Sequence, residues 1–218
     1  MTVLLRIALL VLLTSCPLAA ADALPKVVLI GDSIRLSYAP TVIEELKGKA
    51  QVVSSRSNGG DSNNVLKHLA NWAIKENPDV VHFNCGIHDT KFFKEQQSFQ
   101  VTPEKYEANL REIVKRIRAK TSAVVIFATT TPILDERALS KRRGRAYALT
   151  GRAVERYNAI ALRVMAELKV PINDLNKVVG EGGVKELLDA DGVHLTRSAR
   201  ELLGRRVAEF VKGRLKKP

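Results

Sequence analysis

Val27-Val28-Leu29-Ile30-Gly31-Asp32-Ser33-Ile34 decides the reading of this chain. Four consecutive apolar residues, three of them β-branched, read as a strand buried on both faces, and the glycine that follows permits a sharp turn. The turn delivers Ser33 to the end of the strand. Further short apolar runs follow at Val52-Val53, Val80-Val81-His82-Phe83, Val124-Val125-Ile126-Phe127 and Val170-Pro171-Ile172. Between them Tyr106, Leu110, Ile113, Val114 and Ile117 recur at helical spacing, as do Val154, Tyr157, Ala161, Val164, Met165 and Leu168. Each set marks one apolar stripe. Thr102-Pro103-Glu104 is a helix start, with a hydroxyl N-cap, proline at the first position and an acid in the first turn. Asp61-Ser62 opens another helix, and a last one is expected from about Thr196 through Val211.

Short buried strands alternating with longer amphipathic helices imply right-handed crossovers, a parallel sheet of about five strands and helices on both of its faces. In such folds ligands sit beyond the carboxyl ends of the strands. The residues just after each strand are therefore the ones to inspect.

The chain has 218 residues, with 45% apolar and 27% charged side chains, which suits one ordinary globular domain. Met1 to Leu13 form an apolar run carrying only Arg6, and the small residues Ala19 to Ala23 follow it. This is the pattern of a secretory signal peptide over 1–21, which leaves a domain over 22–218 and no stable membrane insertion after cleavage. The expected location is secreted or periplasmic. Leu13-Thr14-Ser15-Cys16 also resembles a bacterial lipobox, so anchoring through a lipidated Cys16 ranks second. The formal net charge of +12 favours acidic partners, but Lys and Arg are spread over several predicted helices, as on a solvated basic surface. Nucleic-acid binding lacks any motif. Cys16 and Cys85 are the two cysteines, so loss of the leader leaves Cys85 without an intramolecular partner. With neither a Gly-rich phosphate loop nor metal-ligand spacing in the sequence, no cofactor is implied.

Near the C-terminus, Asp191-Gly192-Val193-His194 places a carboxylate and an imidazole three residues apart in a loop before the last helix. A serine hydroxyl becomes a competent nucleophile when a neutral imidazole takes its proton, and a carboxylate holds that imidazole in the right tautomer. Ser33, His194 and Asp191 supply these three functions.

Gly31-Asp32-Ser33-Ile34 near the start, together with Asp191-x-x-His194 near the end, resembles the SGNH (GDSL-like) hydrolase family across essentially the whole mature chain. The resemblance implies a three-layer α/β/α sandwich, flavodoxin-like in plan, and ester hydrolysis through an acyl-enzyme. It also implies an oxyanion hole made by the Ser33 backbone amide, a glycine after the second strand and a side chain after the third. Gly60 in Asn58-Gly59-Gly60-Asp61-Ser62 matches that glycine, with Gly59 as the fallback. In the third block, Gly86-Ile87-His88-Asp89, the chain departs from the family pattern, because His88 stands where asparagine is expected. An imidazole N–H can donate to an oxyanion as an amide does. Asn84, two residues before Gly86, is a less suitable substitute. Cys85 reads as a small buried residue, and His82 and His68 as structural. Two segments, Thr90 to Val101 and Pro132 to Ala148, are expected as loops bordering the substrate, the second carrying Arg142, Arg143 and Arg145.

Family substrates include lipids, thioesters and acetylated carbohydrates. Predicted export, the lack of an evident lid and few large apolar residues near the motifs favour an ester substrate that is an acetylated carbohydrate. A lipase-like or thioesterase acylhydrolase is the enzymatic alternative. A non-catalytic glycan-binding module with a degenerate oxyanion hole is the alternative of another class, against which the retention of Ser33, Asp191 and His194 argues. For the leader, intact-mass analysis of exported material is expected to show a chain beginning near Asp22 or Leu24; a diacylglycerol-modified Cys16 would establish the lipid-anchored alternative instead.

Overall fold

The computed structural model describes residues 23–215; the expected leader over 1–21, and Cys16 within it, lie outside the described residues. In chain order the elements are β1 (Lys26–Ile30), α1 (Ser33–Glu45), β2 (Gln51–Ser54), α2 (Ser62–Trp72), β3 (Val80–Phe83), β4 (Phe92–Phe93), β5 (Ser98–Phe99) and α3 (Pro103–Lys120). There follow β6 (Val124–Ala128), α4 (Asp135–Lys141), β7 (Tyr147–Ala148), α5 (Gly151–Glu167), β8 (Ile172–Asn173), α6 (Leu175–Glu181), α7 (Val184–Leu187) and α8 (Arg197–Lys212). The five anticipated strands form one parallel sheet in the order β2-β1-β3-β6-β8. That is the flavodoxin-like order, in which the chain steps to one side of β1 and then crosses to the other.

Alternation along β1 divides the core in two. Val27 and Leu29 pack with Tyr38 and Val42 of α1 and with Leu203 and Val207 of α8. Val28 and Ile30 point the other way, into a cluster with Val65 of α2, Leu110 and Ile113 of α3 and Val164 of α5. A strand apolar at every position is what two such layers require. Two helix starts are capped as the sequence indicates, with Thr102 accepting from the Lys105 amide and Asp61 from the Asn64 amide, while Thr196 stands at the N-cap of α8 without a side-chain cap hydrogen bond. The last strand is shorter than its apolar run and displaced toward its end. Pro171 has no N–H to give and contributes only a carbonyl, which accepts from the Phe127 amide.

The segments expected as bordering loops are more ordered than that. Parts of both pair into a second, antiparallel sheet, β5-β4-β7, in which Phe92 faces Phe99 and Phe93 faces Tyr147. Strands of two residues carry too little periodicity to be read locally. Helix α1 was likewise not evident, since it carries a charged residue, Arg35, at a core position and contains Pro40.

Arg35 is 1% exposed. Its guanidinium donates to the carbonyls of Gly31, Ser55 and Ser57 and to the Ser54 hydroxyl, at 2.6–2.9 Å. It therefore ties the turn that carries Ser33 to the chain leaving β2. Arg35→Met keeps the stem's bulk but strands these acceptors, and it is expected to cost about 3 kcal/mol or more in urea unfolding. An unchanged unfolding midpoint would remove Arg35 from this role.

Candidate active site

Ser33 is the first residue of α1, immediately beyond β1, and Asp32 caps that helix by accepting from the Ile34 amide at 2.9 Å. The cap fixes the direction in which the chain leaves the strand and with it the position of Ser33. His194 comes from 161 positions away, and its Nε2 lies 3.0 Å from Ser33 Oγ. His194 Nδ1 lies 2.6 Å from Asp191 Oδ2. The other carboxylate oxygen, Oδ1, accepts the backbone amides of Val193 and His194, both at 2.9 Å. Gly192 makes this loop possible: its φ is +70°, and a Cβ there would stand 2.5 Å from the Leu134 carbonyl.

Burial alone would raise the Asp191 carboxyl, but the His194 and Val193 amides and the His194 ring outweigh it and hold the group at about 2. Asp191 is thus a fixed negative charge behind the imidazole. Arg142 reinforces the loop from α4's end, donating to the Asp191 carbonyl at 3.0 Å with a second nitrogen 3.5 Å from Oδ2. Arg143 and Arg145 are exposed, as a solvated charge run would be.

Gly60 and His88 reach the same end of the sheet by separate routes. The Gly59 amide donates to the Gly31 carbonyl at 2.9 Å, so the fallback glycine is committed to the fold. The Gly60 amide donates to Asn58 Oδ1 at 2.9 Å, a weaker commitment because the partner is a side chain of its own loop. His88 stands in the turn after β3. Gly86 opens that turn with φ +151°, and a Cβ there would meet Thr130 Oγ1 at 2.2 Å. Asp89 binds the two blocks together: its carboxylate accepts the Ser62 amide at 2.9 and 3.2 Å, and burial pushes its pKa up to about 7.

A cavity of about 230 Å³ joins Ser33, His88 and His194, and Gly60 is not among its lining residues. Ser33, His194, His88 and Asn58 supply its polar surface, and Ile87, Leu149, Val193 and Tyr147 its apolar wall. Lys91 and Arg142 add two cations. A larger cleft of about 460 Å³, against Phe99, Thr150 and Arg156, shares none of these residues, so volume does not select the site. Among the described residues no group of three His, Cys, Asp or Glu side chains is placed to hold a metal, and no helix is long and apolar enough to cross a membrane.

The remaining candidates lie apart from this cavity. Asn84 spends its amide on the Ala128 carbonyl at 2.8 Å. Cys85 is fully buried, and burial pushes its thiol well up, away from the reactive thiolate. Burial holds His82 neutral, down to about 4, beside Asn173, and His68 stacks on Trp72. Sequence reasoning did not single out Arg35, Asn58, Lys91 or Tyr147. The Lys91 signal was local, a cation three residues after His88.

The model of the GDSL-like Lipase/Acylhydrolase family matches residues 29–202. No curated protein sequence matches the chain. Among solved structures, a lipase/acylhydrolase from Enterococcus faecalis is 25% identical, with a TM-score of 0.73 over 89% of this chain and 99% of its own. The acetyl xylan esterase AlAXEase is 18% identical, with a TM-score of 0.69 over 85% of this chain and 99% of its own. Axe2, an acetylxylan esterase from Geobacillus stearothermophilus, is 18% identical, with a TM-score of 0.66 over 86% and 94%. At 18% identity the two esterases share the fold with this chain. A match that runs from within β1 into α8, on a sheet of the same plan, places the chain in the GDSL-like lipase/acylhydrolase family.

Proposed function

We propose that the mature chain is an exported serine ester hydrolase that removes acetyl or other short acyl groups from a carbohydrate. The observation that carries the catalytic part is the continuous path from Ser33 Oγ through the His194 ring to Asp191, at 3.0 and 2.6 Å. Ser33 is the nucleophile. As its oxygen bonds to the ester carbonyl carbon, its proton passes to His194 Nε2, and Asp191 stabilises the resulting imidazolium. The carbonyl oxygen becomes an oxyanion, met by the backbone amides of Ser33 and Gly60 and by the His88 ring. Asn58 Oδ1 must yield the Gly60 amide to the substrate. Collapse breaks the bond to the alcohol, which leaves with the proton from His194. Water then attacks the acyl-enzyme, again giving its proton to His194, and the carboxylic acid departs as Ser33 regains a proton.

The small cavity supports a short acyl group, since about 230 Å³ lies below the usual range for pockets that enclose larger ligands. Polar and cationic side chains at the same cavity favour a hydroxyl-rich leaving group over a lipid. The fold is also one in which acetyl xylan esterases occur. Export rests on the leader-like pattern over 1–21.

Purified protein is expected to hydrolyse an aryl acetate and an acetylated sugar well and a long-chain aryl ester poorly; the reverse preference would favour a lipase-like enzyme. Ser33→Ala or His194→Ala should abolish nearly all turnover with the fold intact, and near-normal turnover in either would reject the triad. His88→Ala should lower kcat about 10²- to 10³-fold with a smaller change in KM, and His88→Asn should recover part of that loss. With Asp191 ionised above about 2 and burial holding His88 neutral above about 4, neither group should titrate in the activity profile above about pH 5, so His88→Asn should leave the position of the acid limb unchanged. An acid limb displaced in His88→Asn would contradict this.

A further inference from the structure

An asparagine at an oxyanion position is a donor by its chemistry. A neutral imidazole carries one proton on either of two ring nitrogens, and the other nitrogen is an acceptor. His88 can therefore donate into the cavity only if something keeps the proton on the correct edge. Lys91 Nζ lies 2.9 Å from His88 Nδ1. A lysine ammonium has three donors and no lone pair, so across this contact Nδ1 must accept. Nε2, which makes no hydrogen bond with the described residues, is then the ring's protonated nitrogen.

We propose that Lys91 is the positioning residue that makes His88 an oxyanion donor, by donating to Nδ1 and so keeping the ring's single proton on Nε2. The inference rests on the role given to His88 above. The pair is built into the fold from two sides. The Lys91 backbone amide donates to the His88 carbonyl at 3.2 Å, which closes the turn and brings the two side chains together. The ammonium also lies 5.2 Å from the centre of the Tyr147 ring, and Tyr147 is held on β7 opposite Phe93 of β4. The small antiparallel sheet thus anchors the cation that orients the ring.

Charge completes the device. The groups that act on His88 are Lys91, Asp61 and His194, with Arg142 at the same cavity. Burial first and the Lys91 charge second push its pKa down to about 4, against the weaker opposing pull of Asp61. The ring is then neutral when His194 becomes an imidazolium, which spares the transition state a second positive imidazole nearby. A hydrogen bond from an ammonium to Nδ1 also polarises the ring and strengthens Nε2–H as a donor.

The test is ¹⁵N NMR of the histidines in the full mature protein, alongside steady-state kinetics on an aryl acetate. Wild type should show His88 neutral and protonated on Nε2. Lys91→Met should give a mixed tautomer, raise the His88 pKa and lower kcat about 10-fold with little change in KM, comparable to losing a partner that orients a working histidine elsewhere. Lys91→Arg, still a donor without a lone pair, should restore both the tautomer and most of kcat. Nδ1 protonation in wild type would overturn the proposal, as would a fall in kcat of Lys91→Met with the tautomer unchanged. If the tautomer shifts in Lys91→Met while His88→Ala keeps wild-type kcat, the tautomer control by Lys91 holds and the oxyanion role of His88 is what fails.

Discussion

A buried guanidinium holds the turn that carries Ser33 in place. Arg35 is the third residue of α1 and donates to Gly31, Ser54, Ser55 and Ser57. Without it, those oxygens would have to be satisfied by other means, and the loop over 55–60 would lose a tie to the turn that carries Ser33. The arrangement gains a second tie from the Gly59 amide, which bonds the Gly31 carbonyl. A charged residue can occupy such a position only because these oxygens replace much of its lost hydration.

Comparable ties position the other blocks. The buried Asp89 carboxylate accepts the Ser62 amide, and Asn109 of α3 donates to the Ser62 hydroxyl at 2.8 Å. The His88 turn, the start of α2 and α3 are therefore tied to one another. On the far side, Arg142 and the Leu134 amide hold the Asp191 loop against α4, the latter bonding the Gly192 carbonyl at 2.9 Å. The candidate catalytic groups thus stand on short turns, each braced by polar contacts with an adjacent element, in the manner that pre-organised chemistry requires.

The oxyanion role proposed for His88, where the resemblance leads one to expect asparagine, changes what the surroundings must do. A carboxamide needs orientation alone, whereas an imidazole needs orientation, a fixed tautomer and a controlled charge. The contacts of Lys91 with the His88 ring and with Tyr147 answer those needs, and they depend on β4 and β7 being paired. The segments that border the cavity are thereby part of the site's electrostatics as well as its walls.

The local sequence determined the five buried strands, the main capped helices and the two ends of the candidate triad. Each of these signals is short-range: an apolar run, a helical stripe, an N-cap, or Asp191 and His194 sharing one loop. The three-layer plan followed from their alternation, since a strand apolar at every position must be covered twice. Tertiary structure alone decided the strand order, the approach of His194 to Ser33, the burial of Arg35 and the pairing of β4 with β7. Arg35 reads as a surface residue until the oxygens that solvate it are known, and two-residue strands have no period to detect. It also showed the Gly59 amide held by a backbone carbonyl and the Gly60 amide by the Asn58 side chain, and it separated Arg142 from Arg143 and Arg145 by which one turns inward. The physical reason is that a local pattern specifies which face a side chain prefers, whereas the partner it meets there is set by the register and packing of segments far apart in the chain.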